Sequence, residues 1–270
     1  VIFLDKALSI IFALLFVACS PKIQQVHQDE PVSSLDEVPK EVLKRPQEPQ
    51  TQESVYAIEF TTPTGQFIKM SFRSPAKSVG KVNDGHILNG KCLRPLGPGY
   101  KLREPELGCA TDEVINLMMF SIGEVLRAFP DSPALVLGTL SKKDGGPVPP
   151  NKSHQSGRDV DIGFYARNSR PLDDFDELDT DEIDFTKTFY LMANLIATGR
   201  VQLIMVNYAL HPHLYNAAKD MGYSDEQLAW LFQYPMGPKA KAGIIRHAKG
   251  HRRHFHVRFN CPIGDDLCVP

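Results

Sequence analysis

An α+β fold is expected for residues 55–270, the part of this chain with globular composition. Three observations point to it. Segments of two-residue and of helical apolar period are mixed along the chain without strict alternation, which argues against a parallel βαβ sheet. Two strand-like segments, DVDIGFY (159–165) and HFHVRF (254–259), alternate polar and apolar residues, as strands with one buried face do. The stretches between such segments are long, polar and rich in Gly and Pro. A small central antiparallel sheet flanked by helices and long loops is the architecture these features predict.

Taken in order, residues 1–19 read as a signal segment. The apolar run ALSIIFALLFVA (7–18) follows Lys6 and is shorter than the roughly 20 residues a membrane-spanning helix needs. It ends Ala18-Cys19-Ser20, similar to a bacterial lipobox with Phe16 where Leu is usual, so Cys19 is the expected lipidation site and the outer membrane the expected anchor. Residues 20–54, rich in Pro, Gln, Glu and Lys and without an aromatic residue, read as a disordered tether. An anchored protein of this kind belongs in the periplasm. Net charge is -2, and nothing in it points to nucleic acid.

VYAIEF (55–60) and FIKMSF (67–72) predict a hairpin. Residues 80–110 read as an ordered loop carrying two cysteines. DEVINLMMFSIGEVLRAF (112–129) predicts a mostly buried helix with Thr111 as N-cap and Pro130 beyond its end. ALVLG (134–138) is a short strand, and 140–153 a loop. A helix over 185–199 stops at Gly199, a strand follows at 201–206, and a short helix at 213–222. Ser224 and Gln227 form a capping box for one more helix. Cys92, Cys109, Cys261 and Cys268 suggest two disulfides in an exported domain, in any of three pairings.

Two motifs carry the chemistry. The first, SHQSGRDVD, holds His154 and Asp161 as His-x2-Gly-x3-Asp. The second, HRRHFH, holds His251, His254 and His256. In a strand His254, His256 and Arg258 share one face and Phe255, Val257 and Phe259 the other; Asp159 and Asp161 likewise oppose Val160 and Ile162. His154 and Asp161 are an odd number of residues apart, so a turn must bring them together, and Gly157 supplies a residue able to take positive φ. Imidazoles with one carboxylate suit zinc, though nickel, copper or cobalt share the preference.

SHQSGRDVDI, followed near the C-terminus by GHRRHFHVRF, resembles the penicillin-insensitive murein endopeptidases, relatives of lysostaphin-type and zinc D-Ala-D-Ala peptidases. The resemblance runs over about residues 80–262 and includes LNGKCLRPLGPGY, LSKKDGG and VQLIMVNYALHPHLYNAAKDMGY. It implies one zinc ion per chain on His154, Asp161 and His256, with His254 as the catalytic histidine and His251 a further histidine of the site. It implies peptidoglycan as the partner, cut at cross-links between D-Ala and diaminopimelate. Two departures stand out: Asn151 and Lys152 occupy a place where the family often has another His, and Arg158 one where an apolar residue is common.

With no HExxH in the chain, a neighbouring imidazole is the expected base, and His254 shares the strand face of His256. Arg258 is a candidate reader of a substrate carboxylate, or half of a structural salt bridge. Rival readings are a zinc D,D- or L,D-carboxypeptidase and a non-catalytic zinc-containing wall-binding module. Three decoys are set aside: Ser74-Pro75-Ala76-Lys77 lacks the partner motifs of serine peptidases, His211-Pro212-His213 reads as loop, and the eight Asp and Glu of residues 173–184 lack calcium-loop spacing and read as a solvated acidic loop.

Overall fold

The computed structural model describes residues 54–270; the signal-like segment with Cys19, and the tether up to residue 53, lie outside the described residues. Strands β1 (Ser54–Thr61) and β2 (Phe67–Ser74) form the expected antiparallel hairpin. Ile58, Phe60 and Phe72 turn inward, while Glu59 faces Lys69 across the strands at 2.7 Å on the wet side.

The region expected to be one ordered loop is instead built from short strands: β3 (Lys77–Lys81), β4 (Asp84–Leu88), β5 (Lys91–Cys92), β6 (Leu96–Gly97), β7 (Tyr100–Leu102) and β8 (Cys109–Ala110). β3 pairs with β4, and β5 with β8, each antiparallel. A disulfide joins the facing residues Cys92 and Cys109 of β5 and β8, and Cys261–Cys268 closes a second loop. These strands are too short for a two-residue apolar period to show in the sequence.

Helix α1 (Asp112–Ala128) follows, with Thr111 at the N-cap position. The Thr111 hydroxyl makes no capping bond; the acidic residues of the first turn are occupied elsewhere, Asp112 accepting from the Ala76 amide at 3.2 Å. Then come β9 (Leu135–Leu137), β10 (Asp159–Gly163) and α2 (Phe185–Ala197), whose N-cap Asp184 accepts from the Lys187 amide. β11 (Val201–Val206) leads to α3 (His211–Asp220), which starts at the His211-Pro212-His213 run read as loop. Pro at the first turn suits a helix start; His211 is buried and His213 stacks on Phe185. α4 (Asp225–Leu231) opens on the predicted capping box, with both bonds present. β12 (Ile245–His247) was not anticipated, and β13 (His254–Phe259) was.

The main sheet has seven strands in the order β12-β11-β13-β10-β9-β7-β6. Its centre, β11 to β9, is antiparallel; the outer pairs β11–β12 and β7–β9 are parallel, so the sheet is mixed and wider than predicted. The apolar side chains of β10 and β13 join α1 and α2 in one buried core. The fold is thus α+β, with helices flanking a sheet. Among the described residues no helix is long and apolar enough to cross a membrane.

Candidate metal centre

The pairing of β10 with β13 sets the site. Asp161 lies opposite His256, Gly163 opposite His254 and Asp159 opposite Arg258. The opposite faces of the same residues, Val160, Ile162, Phe255, Val257 and Phe259, are buried. Strand parity therefore delivers both carboxylates and two imidazoles to one side of the sheet.

His154 arrives from the loop before β10, and its turn uses two left-handed residues rather than Gly157 alone: Gly157 at φ 70° and His154 itself at φ 69°. A Cβ on residue 157 would stand 2.7 Å from Ile87 Cδ1, so the close approach needs glycine. For His154 the conformation is strained, and it is held by its amide donating to Asp159 Oδ2 at 3.1 Å. The imidazole Nδ1–H donates to the Leu140 carbonyl at 3.0 Å. Its other ring nitrogen, Nε2, lies 3.3 Å from Asp161 Oδ2.

His256 is the mirror case. Its Nδ1 is 2.9 Å from Asp161 Oδ1, while Nε2 turns to Asp159 Oδ1 at 3.3 Å, an ion-pair distance without hydrogen-bond alignment. Asp159 is in turn gripped by Arg258, Nε and Nη2 donating at 2.8 and 3.1 Å. Arg258 is thus committed to a buried carboxylate, and it borders a neighbouring cavity with Lys81, Ser153 and Gln202, not the cavity over the centre.

His154 Nε2, an Asp161 oxygen and His256 Nδ1 can present three donors within 4.8 Å of one another. Donors about 2.0–2.1 Å from one tetrahedral ion lie about 3.3 Å apart, close to the spacings found here. Behind each ring stands a carbonyl or carboxylate, the kind of partner that fixes the tautomer of a metal-bound histidine. The donor set therefore fits a divalent ion.

Asp161 and His256 each hold the other in its charged form against burial. Burial favours neutral Asp161, yet the hydrogen bonds and charge of His154 and His256 hold its carboxyl far below the usual range. Burial likewise pushes the His256 imidazolium down, but Asp159 and Asp161 outweigh it and lift the group to about 9. Asp159 is kept well below the usual carboxylate range, against its burial, by His256 and Arg258.

Asp161 belongs to a second group with His251 and His254. His254 Nε2 is 3.7 Å from Asp161 Oδ1, and its ring centroid 5.0 Å from that of His251. His251 sits in the turn ahead of β13, its Nδ1 donating to the Lys249 carbonyl at 3.3 Å. Burial pushes His254 down to about 4 against the pull of Asp161; burial, helped by the charge of His256, also lowers His251. Both are neutral at pH 7.

A cavity of about 710 Å³ opens over all five groups, walled by Arg103, Val148, Pro149, Lys152, Phe175 and Lys249. Asn151 lines it too, its amide donating to Thr139 Oγ1 at 3.3 Å. The decoys lie elsewhere in the chemistry: Ser74 is buried with its hydroxyl donating to the Ala76 carbonyl, and His211 and His213 join no candidate ligand group among the described residues. Sequence reading did not assign the supporting Leu140 carbonyl, for which no signal exists, nor Phe175, the one aromatic residue inside the acidic run. The chain matches no protein-family model and no curated protein.

Proposed function

We propose that this protein is a zinc-dependent hydrolase of peptide cross-links in peptidoglycan. One observation carries the reading. Three convergent donors, the two imidazoles braced from behind, lie at the base of an open cavity beside two further neutral imidazoles that the metal does not need. A closed structural site would use those imidazoles as ligands and leave no open position.

His154, Asp161 and His256 would hold the ion; when bound, zinc supplies Lewis-acid polarisation of the scissile carbonyl and acidifies water. His254 takes the proton from the attacking water at Nε2 and passes it to the leaving amine; its neutral form is the one a base needs. The Nδ1–H of His251 is occupied by the Lys249 carbonyl, so its Nε2 is an acceptor, suited to orienting water. The cell-wall substrate rests on the motif resemblance, and the two disulfides support an oxidising compartment such as the periplasm. Cys19 would anchor the chain to the outer membrane.

The test is digestion of cross-linked muropeptides by the full chain with and without chelator, followed by mass analysis. Conversion of dimers to monomers, lost with chelator and restored by zinc, is expected. Shortened stems would make it a carboxypeptidase instead, and bound zinc with no product a binding module.

A further inference from the structure

The carboxylates of the acidic segment 173–184 are exposed, as expected, but for the half-buried Asp184. Four of the exposed ones are also paired with cations: Asp173 to Lys101 at 2.6 Å, Asp174 to Arg103 at 2.7 Å, Glu177 to Arg253 at 2.7 Å and Glu182 to Arg170 at 3.1 Å. Thr180 Oγ1 accepts from Arg252 at 3.4 Å. Three consecutive residues leading into β13, Arg252, Arg253 and His254, thus meet Thr180, Glu177 and Phe175 in turn.

The last of these contacts is the closest to the centre. The Phe175 ring lies parallel to the His254 imidazole, centroids 4.7 Å apart and planes 13° apart, and the Arg103 guanidinium covers Phe175 at 5.4 Å. Gly138 makes room for it: a Cβ there would stand 2.5 Å from Phe175 Cζ. Gly163, the cross-strand partner of His254, lies on the same ring, where a Cβ would come to ordinary contact at 3.4 Å.

His254 has particular need of such a contact. His154 is fixed by Leu140, His256 by two aspartates and His251 by Lys249, each through a ring nitrogen. Among the described residues neither ring nitrogen of His254 has a hydrogen bond; Nε2 lies 3.7 Å from Asp161 Oδ1. Packing must set its orientation.

We propose that Phe175 is a positioning residue for His254 and that the acidic segment is the strap that presents it. The catalytic consequence rests on the hydrolase reading; the positioning itself does not.

The experiment has two arms on the full chain. In the first, imidazole C–H signals are followed by NMR with and without zinc, those of His254 being identified by their loss in His254→Gln. A ring stacked face to face is shielded, so Phe175→Leu should move the His254 signals downfield and leave those of His154 in place. Unmoved His254 signals overturn the proposal. In the second, Phe175→Leu should lower kcat on cross-linked muropeptides about 10- to 100-fold with KM and bound zinc unchanged. Phe175→Tyr should restore it, and Phe175→Leu should have no further effect in a His254→Ala background. Equal losses in both backgrounds mean that Phe175 does not act through His254. Should the wild type cut nothing, the hydrolase reading fails while the NMR arm still decides the positioning. Should Phe175→Leu not fold, Glu177→Gln, at an exposed position, loosens the strap and is read the same way.

Discussion

Two of the buried carboxylates, Glu113 and Asp161, are buried differently. Glu113 on α1 accepts from the Tyr56 hydroxyl of β1, from Arg200 Nε at 2.7 Å and from the Ile263 amide at 3.3 Å, while Arg200 also donates to the Cys261 carbonyl. Every partner there is a donor, and the cluster staples the hairpin, a helix and the C-terminal segment together. Asp161 faces imidazoles that could turn lone pairs to a metal ion, and it sits under an open cavity. A saturated cluster is a fastening. One whose members could converge on a cation is a candidate receptor.

The sharpest way to break this contrast is Asp161→Ala. It should abolish both zinc binding, read by calorimetry, and muropeptide hydrolysis, and retention of either would sink the centre. Next, His254→Ala should keep the zinc and lose about 10²- to 10⁴-fold in rate, the usual contribution of a general base; equal metal loss in both variants would refute the division of roles. On the fastening side, Glu113→Ala leaves Arg200 without its partner and should lower stability by about 3–5 kcal/mol in a denaturant titration. Zinc affinity of the folded fraction should not change. Asp159→Asn should weaken zinc binding by about 10- to 100-fold through the orientation of His256.

A last effect is in pH. Because His256 is raised to about 9 in the metal-free fold, above its ordinary 6.5, it stabilises that fold fully below about pH 6.5 and the contribution is lost as pH rises through 9. Zinc must displace that proton, so apparent affinity should climb about tenfold per pH unit up to about pH 9 and level off beyond. A competition titration showing no slope would mean that His256 enters the contest already neutral.

Strand alternation made the open face of β10 and β13 legible, because a two-residue period separates Asp161, His254 and His256 from the phenylalanines and valines without any tertiary information. The capping box at Ser224 was legible for a similar reason: its bonds are local. What escaped the sequence is what depends on distant backbone. β12 is three residues long and exists because β11 lies beside it. The left-handed turn at His154 is imposed by Asp159 and the glycine beyond, and nothing in a histidine announces it. The ion pairs of the acidic run were not legible because its cations sit at Lys101, Arg103 and Arg253, remote in sequence from it on either side.

The separation of Asp161 from His256 has a consequence for how the centre comes into being. These two donors stand 95 positions apart along the chain. A nascent polypeptide that has reached β10 owns His154 and Asp161 but not His256. The third donor joins them only when β13 has been made and has found its register; a slip of one residue would turn a phenylalanine or valine toward the site in its place. Capture of an ion by these three groups would therefore be a terminal event, a seal set on a chain that has paired correctly.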